Sequence, residues 1–203
     1  MLQKIGRNAL APTLRCLSGG KRGAASMLLV KQTAISHTNR SLQARLFSAQ
    51  ANAKSSLFEA AESGTVGTIK DFLDSKALGS EDVSAIAEAL ILAAKAGHAN
   101  VIKMLLAAGA EADAADENGK AALIIASENG HVEAVQALLE AGANIEAIDK
   151  GRNTALHRAA KEGHAGVVAA LLEGGAKVNT QDKTGRTALM VARKKEVKEL
   201  LEG

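Results

Sequence analysis

Gly97-His98, Gly130-His131 and Gly163-His164 are spaced by 33 residues each time. Gly109-Ala110, Gly142-Ala143 and Gly175-Ala176 keep the same step, and Leu57, Leu90, Leu123, Leu156 and Leu189 carry it along the chain. A period of this length constrains the fold more than any other feature. A unit so short cannot bury both faces of its own elements, so successive units must stack and share a core.

Each unit has one internal plan. In residues 116–148, Asp116 and a Gly-containing stretch predict a tight turn. A short helix follows from about Ala121 to Asn129, with Leu123 and Ala126 on one face, and Gly130 can end it at positive φ. The spacing of Val135, Leu138 and Leu139 predicts the buried face of a second helix, ended by Gly142. Asn144 to Ile148 reads as extended and alternating, with Ile145 pointing inward. Ala93, Ala94, Ala126, Ala159 and Ala160 permit close helix approach, while Leu105, Leu138 and Leu171 fill the space between layers.

These units resemble ankyrin repeats. The family's pattern, D-x-x-G-x-T-P-L-H-x-A-A-x-x-G-H followed by V-V-x-L-L and G-A, is followed most closely by residues 149–181. There it appears as Thr154-Ala155-Leu156-His157, Ala159-Ala160, Gly163-His164, Val167-Val168 and Leu171-Leu172. The resemblance covers about residues 57–203. It implies an all-α solenoid of about five helix-turn-helix units joined by β-hairpin-like loops, with a concave groove lined by hairpin tips and first helices. The expected units are about 55–82, 83–115, 116–148, 149–181 and 182–203.

Departures from the pattern are local. Ala122, Ala155 and Ala188 replace the family's Pro, a change the first turn of a helix tolerates well. Only Thr154 and His157 keep the T-x-x-H pair. Arg152 stands where Gly119 and Gly185 stand, with Gly151 one position earlier, so that hairpin tip is expected to be distorted. The first unit lacks the Gly-Ala step, and Ser80 instead reads as the N-cap of a longer helix through Leu92. The last unit has lost four residues. Its Lys194, Lys195, Lys198, Glu199 and Glu202 suit a polar cap facing water.

Charge divides the chain. Residues 1–47 hold eight Lys or Arg (Lys4, Arg7, Arg15, Lys21, Arg22, Lys31, Arg40, Arg45), and no acidic residue precedes Glu59. Of 25 basic residues, 17 then remain against 22 acidic ones, so the rest of the chain is net acidic. Leu2, Ile5 and Ala9 recur at helical spacing before Pro12, with Lys4 and Arg7 off that stripe. A basic amphipathic helix without acids is the composition of a mitochondrial transit peptide. Arg45-Leu46-Phe47-Ser48 resembles a presequence cleavage site, which places the mature start near Ser48 after a 1–47 targeting segment, disordered or amphipathic-helical, and before a 48–54 linker. The expected destination is the mitochondrial matrix. A plastid address shares the Ser-rich, acid-poor bias, and a retained basic arm on a cytosolic or nuclear regulator is the other alternative. The longest apolar run, Ala24 to Val30, is too short to span a bilayer, so no stable membrane insertion is expected.

Composition also bounds the chemistry. Three Phe with no Trp or Tyr leave almost nothing for base-stacking platforms, and a net-acidic body suits nucleic acid poorly. Cys16 and His37 would leave with the targeting segment. His98, His131 and His164 occupy equivalent places in successive layers. Neighbouring helices lie about 8–10 Å apart, too far for two imidazoles to share one metal, so no metal site is expected. The resemblance implies that this His caps the helix turn and bonds backbone between layers. His157 is expected to pair with Thr154 at its helix start. Asp116, Asp149 and Asp182 read as turn residues, one layer apart, rather than paired acid–base carboxylates. No nucleophile elbow, P-loop or dinucleotide fingerprint occurs. We therefore expect no enzyme activity and no cofactor.

The groove that the resemblance implies would present Glu117, Asn118, Lys120, Lys150, Asn153, Lys183, Thr184 and Arg186 at hairpin tips. Lys95, Glu128, Asn129, Lys161 and Glu162 would face it from first helices. Six of these are basic and three acidic. The excess predicts a mildly positive groove and an acidic protein segment as ligand, with a solvated surface of no such meaning as the alternative. The chain thus reads as an imported, non-enzymatic adaptor, assembly factor or inhibitor that binds another protein.

Overall fold

A computed structural model describes residues 54–75 and 80–203. The chain divides into Met1–Ser48 and Ala49–Gly203, and only the second unit is described here. The expected targeting helix, the cleavage residues Arg45, Phe47 and Ser48, Cys16 and His37 lie outside the described residues.

Ten helices follow one another among the described residues. They are α1 (54–63), α2 (Val66–Ser75), α3 (Ser80–Ala96), α4 (Ala99–Ala107), α5 (Ala122–Asn129), α6 (Val132–Glu140), α7 (Ala155–Glu162), α8 (Ala165–Glu173), α9 (Ala188–Val191) and α10 (Lys195–Glu202). Odd-numbered helices from α3 onward pack on one another in chain order, α3 on α5, α5 on α7 and α7 on α9. Even-numbered helices form a second row, α2 through α10, and each pairs with its own odd partner from α3·α4 onward. This is an all-α solenoid of two helix rows. The only β feature among the described residues is the isolated bridge between Ala115 and Ala121.

Sequence period and packing coincide. Leu57, Leu90, Leu123 and Leu156 are essentially inaccessible, as are Leu105, Leu138 and Leu171. Helix α5 lies between two inner neighbours and its outer partner, so Ala122 through Ser127 are all buried. The one hydroxyl in that run, Ser127 Oγ, donates to the Leu123 carbonyl at 2.7 Å and so satisfies itself within the helix.

Gly130 ends α5 at φ 82°, and its N–H donates to Ala126 O. Only glycine takes this left-handed conformation without cost. Space is as restrictive as conformation here. A Cβ on Gly64, Gly97 or Gly130 would lie 2.5–2.7 Å from Nδ1 of His98, His131 or His164 respectively, each in the following layer. At Gly163 the same place is taken by the Lys194 side chain, whose Cδ would lie 2.7 Å from a Cβ. The last unit has no His there, and an aliphatic stem fills the seat instead.

Three expectations need correction. Asn144 to Ile148 is a turn rather than an extended segment. Asn144 Oδ1 accepts from the Glu146 N–H at 3.0 Å, and Asn144 O accepts from the Ala147 N–H, so the side chain folds the backbone back on itself. Ile145 is half-buried against the core, while Ile148 is half exposed. The hairpin at Arg152 is not distorted. Arg152 adopts φ 58°, and Asp149 N–H to Asn153 O (3.1 Å) repeats the closure from Asp116 to Lys120 (3.0 Å) and Asp182 to Arg186 (2.9 Å). The long first-row helix runs to Ala96 rather than Leu92. The truncated last unit keeps two helices, α9 and α10, with Lys194, Lys195, Lys198, Glu199 and Glu202 all exposed.

Candidate functional site

Three equivalent turns build the tips of one face. In each, one aspartate oxygen collects two backbone N–H groups. Asp116 Oδ1 accepts from Asn118 and Lys120, both at 2.8 Å. Asp149 Oδ1 accepts from Gly151 at 2.8 Å and Asn153 at 2.9 Å. Asp182 Oδ1 accepts from Thr184 at 2.7 Å and Arg186 at 3.0 Å. A carboxylate that satisfies otherwise orphaned amides fixes the tip without help from its neighbours. Burial pushes the Asp149 carboxyl up, but hydrogen bonds from Arg158 and Asn153 outweigh that and hold it below its ordinary 3.8. The Thr184 hydroxyl, then the Arg186 and Thr184 amides, hold Asp182 well below the same value.

Adjacent tips are joined to one another. Lys150 Nζ donates to Glu117 O at 2.7 Å, and Lys183 N–H donates to Gly151 O at 2.9 Å. On the inner helices, His157 links two layers. Its Nε2–H donates to Arg186 O at 3.0 Å, which leaves Nδ1 as acceptor for the Thr154 hydroxyl at 2.9 Å. Thr154 in turn accepts from the His157 N–H, closing a capping box at the start of α7. His157 is 2% exposed and fully bonded, so it offers no free nitrogen to a substrate.

The three repeated histidines lock layers as well. His98 Nε2 bonds Glu62 O at 2.9 Å, His131 Nε2 bonds Lys95 O at 3.0 Å, and His164 Nε2 bonds Glu128 O at 3.1 Å. They stand at the N-cap positions of α4, α6 and α8 but make no side-chain cap bond. The capping half of the expected role is absent because each imidazole is spent on the layer before it. Among the described residues, no three His, Cys, Asp or Glu side chains gather as a metal-holding group.

A charged chain across layers escaped the sequence reading. Glu128 receives Lys120 from its own layer and Arg158 Nη1, at 3.3 Å, from the next. The same Arg158 guanidinium bonds Asp149 Oδ2 through Nε at 3.1 Å and through Nη2. The available signal was positional. Arg158 occupies the place held by Leu92 and Ile125 in the two preceding units, and a cation at an apolar place needs buried partners.

The candidate groove residues therefore separate into two groups. Lys120, Glu128, Lys161, Glu162 and Arg186 are engaged in ion pairs with one another or with Asp182 or Arg158. Asn129 bonds the Ile125 carbonyl, Asn153 and Thr184 bond their own turn aspartates, and Asn118 folds onto Asp116. Lys150 is bonded to the neighbouring tip. The side chains of Lys95, Glu117 and Lys183 are exposed and have no hydrogen-bonding or ionic partner among the described residues. Two of the six candidate cations, Lys120 and Lys161, pair with candidate acids, and Arg186 pairs with Asp182. What the face offers is a rigid array of tips with a few open side chains.

Two family models match this architecture. One, of ankyrin repeats in three copies, spans residues 57–149, and one of ankyrin repeats in many copies spans residues 138–192. Residues 57–192 are ankyrin repeats. No curated protein matches the chain. The ankyrin repeat is a protein–protein interaction module, and neither matching model is of a catalytic family. No helix among the described residues is long and apolar enough to cross a membrane.

Proposed function

We propose that this ankyrin stack is a non-enzymatic module that captures one partner protein on the face formed by hairpin tips and inner helices, acting as an adaptor, assembly factor or inhibitor. The observation that carries the reading is the joining of successive tips, Lys150 to Glu117 O and Lys183 N–H to Gly151 O. A face tied together in this way is ordered before a partner arrives, so little conformational entropy is lost on binding. Affinity capture with the full chain tests it. Glu117→Trp with Lys183→Trp, which adds bulk at two tips with no net change of charge, should reduce recovery of the partner, whereas Gln136→Trp on the outer helix α6 should not. Equal recovery from both variants would move the interface elsewhere.

We further propose that residues 1–47 direct import into mitochondria. The support is their eight basic residues and the absence of any acid before Glu59. Residues 1–50 fused to a fluorescent reporter should give mitochondrial signal. Diffuse cytosolic signal would defeat the address, and plastid signal in a plant cell would assign it to the alternative organelle.

A further inference from the structure

Helix α3 departs from the repeat. Its Ser84 and Ala87 occupy the positions of Glu117 and Lys120 in the next unit, so helix stands where the other units place a hairpin tip. The extra turns leave Val83, Ala87 and Ile91 at helical spacing on one face. Val83 is 47% exposed, and Ala87 and Ile91 are half-buried. The later equivalents of Ile91, Ile124 and His157, are covered. Between the Ala87–Ile91 part of this ridge and residues 115–118 lies a groove of about 510 Å³, with Ala87, Ile91, Leu92 and Ala115 as its apolar lining and Val83 one turn beyond it.

Its rim is acidic. Glu88, Asp116 and Glu117 line it, and no Lys or Arg does. Asp116 is occupied by its turn, but the Glu88 and Glu117 carboxylates have no partner among the described residues. Lys120 is paired with Glu128, and Lys150 bonds the Glu117 carbonyl rather than its carboxylate. An acidic segment placed here would meet like charges. An uncharged one would leave the rim unpaired.

We propose that this groove takes a basic amphipathic helix of the partner protein, its aliphatic side chains on the Val83–Ala87–Ile91 ridge and its Lys or Arg residues on Glu88 and Glu117. The proposal rests on the reading of this face as a partner surface and names the partner's chemistry. A ridge from Val83 to Ile91 spans nine residues, eight steps of about 1.5 Å, and is about 12 Å long, enough to seat two turns of a second helix.

The probe is a fluorescent 14-residue peptide of Leu and Lys with Leu at helical spacing, measured by anisotropy against the full chain. Its counterpart carries Glu for every Lys. The Lys peptide should bind, more weakly as salt rises, and the Glu peptide should not. Glu88→Lys with Glu117→Lys should weaken the Lys peptide about tenfold and reverse the preference, with an unchanged melting temperature. Val83→Ser should weaken it without reversal. Equal binding of both peptides, or a charge-reversed chain that binds like the wild type, overturns the groove. Natural partner capture that survives charge reversal also overturns it but leaves the protein-binding reading standing. Failure of the wild type to capture any protein sinks that reading itself.

Discussion

The imidazole of His164 occupies the space that any side chain at Gly130 would need, with Nδ1 only 2.6 Å from an added Cβ. Gly142 shares nearly the same φ, 83° against 82°, yet a Cβ there would meet nothing within 4 Å. The pair separates conformational cost from steric cost. Gly142→Ala should lose about 1 kcal/mol from the left-handed backbone alone. Gly130→Ala should lose about 2–4 kcal/mol, because the neighbouring layer must also shift. Urea unfolding of both variants measures this, and equal losses would show that the layers do not interlock here.

Arg158 and Arg186 face equivalent turn aspartates but differ in burial. The Arg158 side chain is 19% exposed and reaches a second acid across the layer, whereas Arg186 is 57% exposed. Arg158→Ala leaves a buried carboxylate uncompensated and should cost about 2–4 kcal/mol. Arg186→Ala should cost no more than about 1 kcal/mol. A double cycle of Arg158→Ala with Glu128→Gln should show coupling between the two layers.

The turn aspartates set the acid limit. Asp149 and Asp182 both titrate below 3.8 in the folded chain. A depressed folded value means that the stabilisation is complete above the unfolded value and disappears as pH falls through the folded one. The melting temperature should therefore hold steady above about pH 5 and fall steadily below about pH 4. Asp149→Asn should be less stable than wild type at neutral pH, and the gap should narrow on acidification. A gap that stays constant down to pH 2 would show that Asp149 is not the titrating group.

Arg152 sits at φ 58° where its counterparts in the neighbouring turns are Gly119 and Gly185. Replacing it with glycine should relieve backbone strain and stabilise the chain by about 0.5–1 kcal/mol. Thermal unfolding of Arg152→Gly checks the sign. Destabilisation would mean that the exposed guanidinium contributes more than the strain removes.

The helices, their order and the buried leucines were legible because each recurs in every layer for the same packing reason. Leu123 and Leu156 meet equivalent neighbours, so periodicity alone exposes them. What each layer does differently was not legible. Arg158 breaks an apolar position, and Lys194 replaces an imidazole with an alkyl chain. Their partners lie in other layers and leave no periodic trace. The groove beside α3 was hidden for a related reason. Ser80 hinted at a longer helix, but the exposure of Val83 depends on α3 standing where the next unit has its hairpin tip. Charge counting along the tips did not show which side chains stay open, because Lys120 and Glu128, eight residues apart, meet only once the turn has folded.

The seat on each left-handed glycine that ends a first-row helix, Gly64, Gly97, Gly130 and Gly163, is supplied by the layer that follows, never by the one before. The array consequently has a direction. A chain stopped after α8 would bare Gly163 and the last turn of α7, whereas α10 ends a unit that contains no such glycine. An extra unit copied from residues 149–181 can join the interior, where a successor covers it. Appended after Gly203, it would find no vacant seat to occupy.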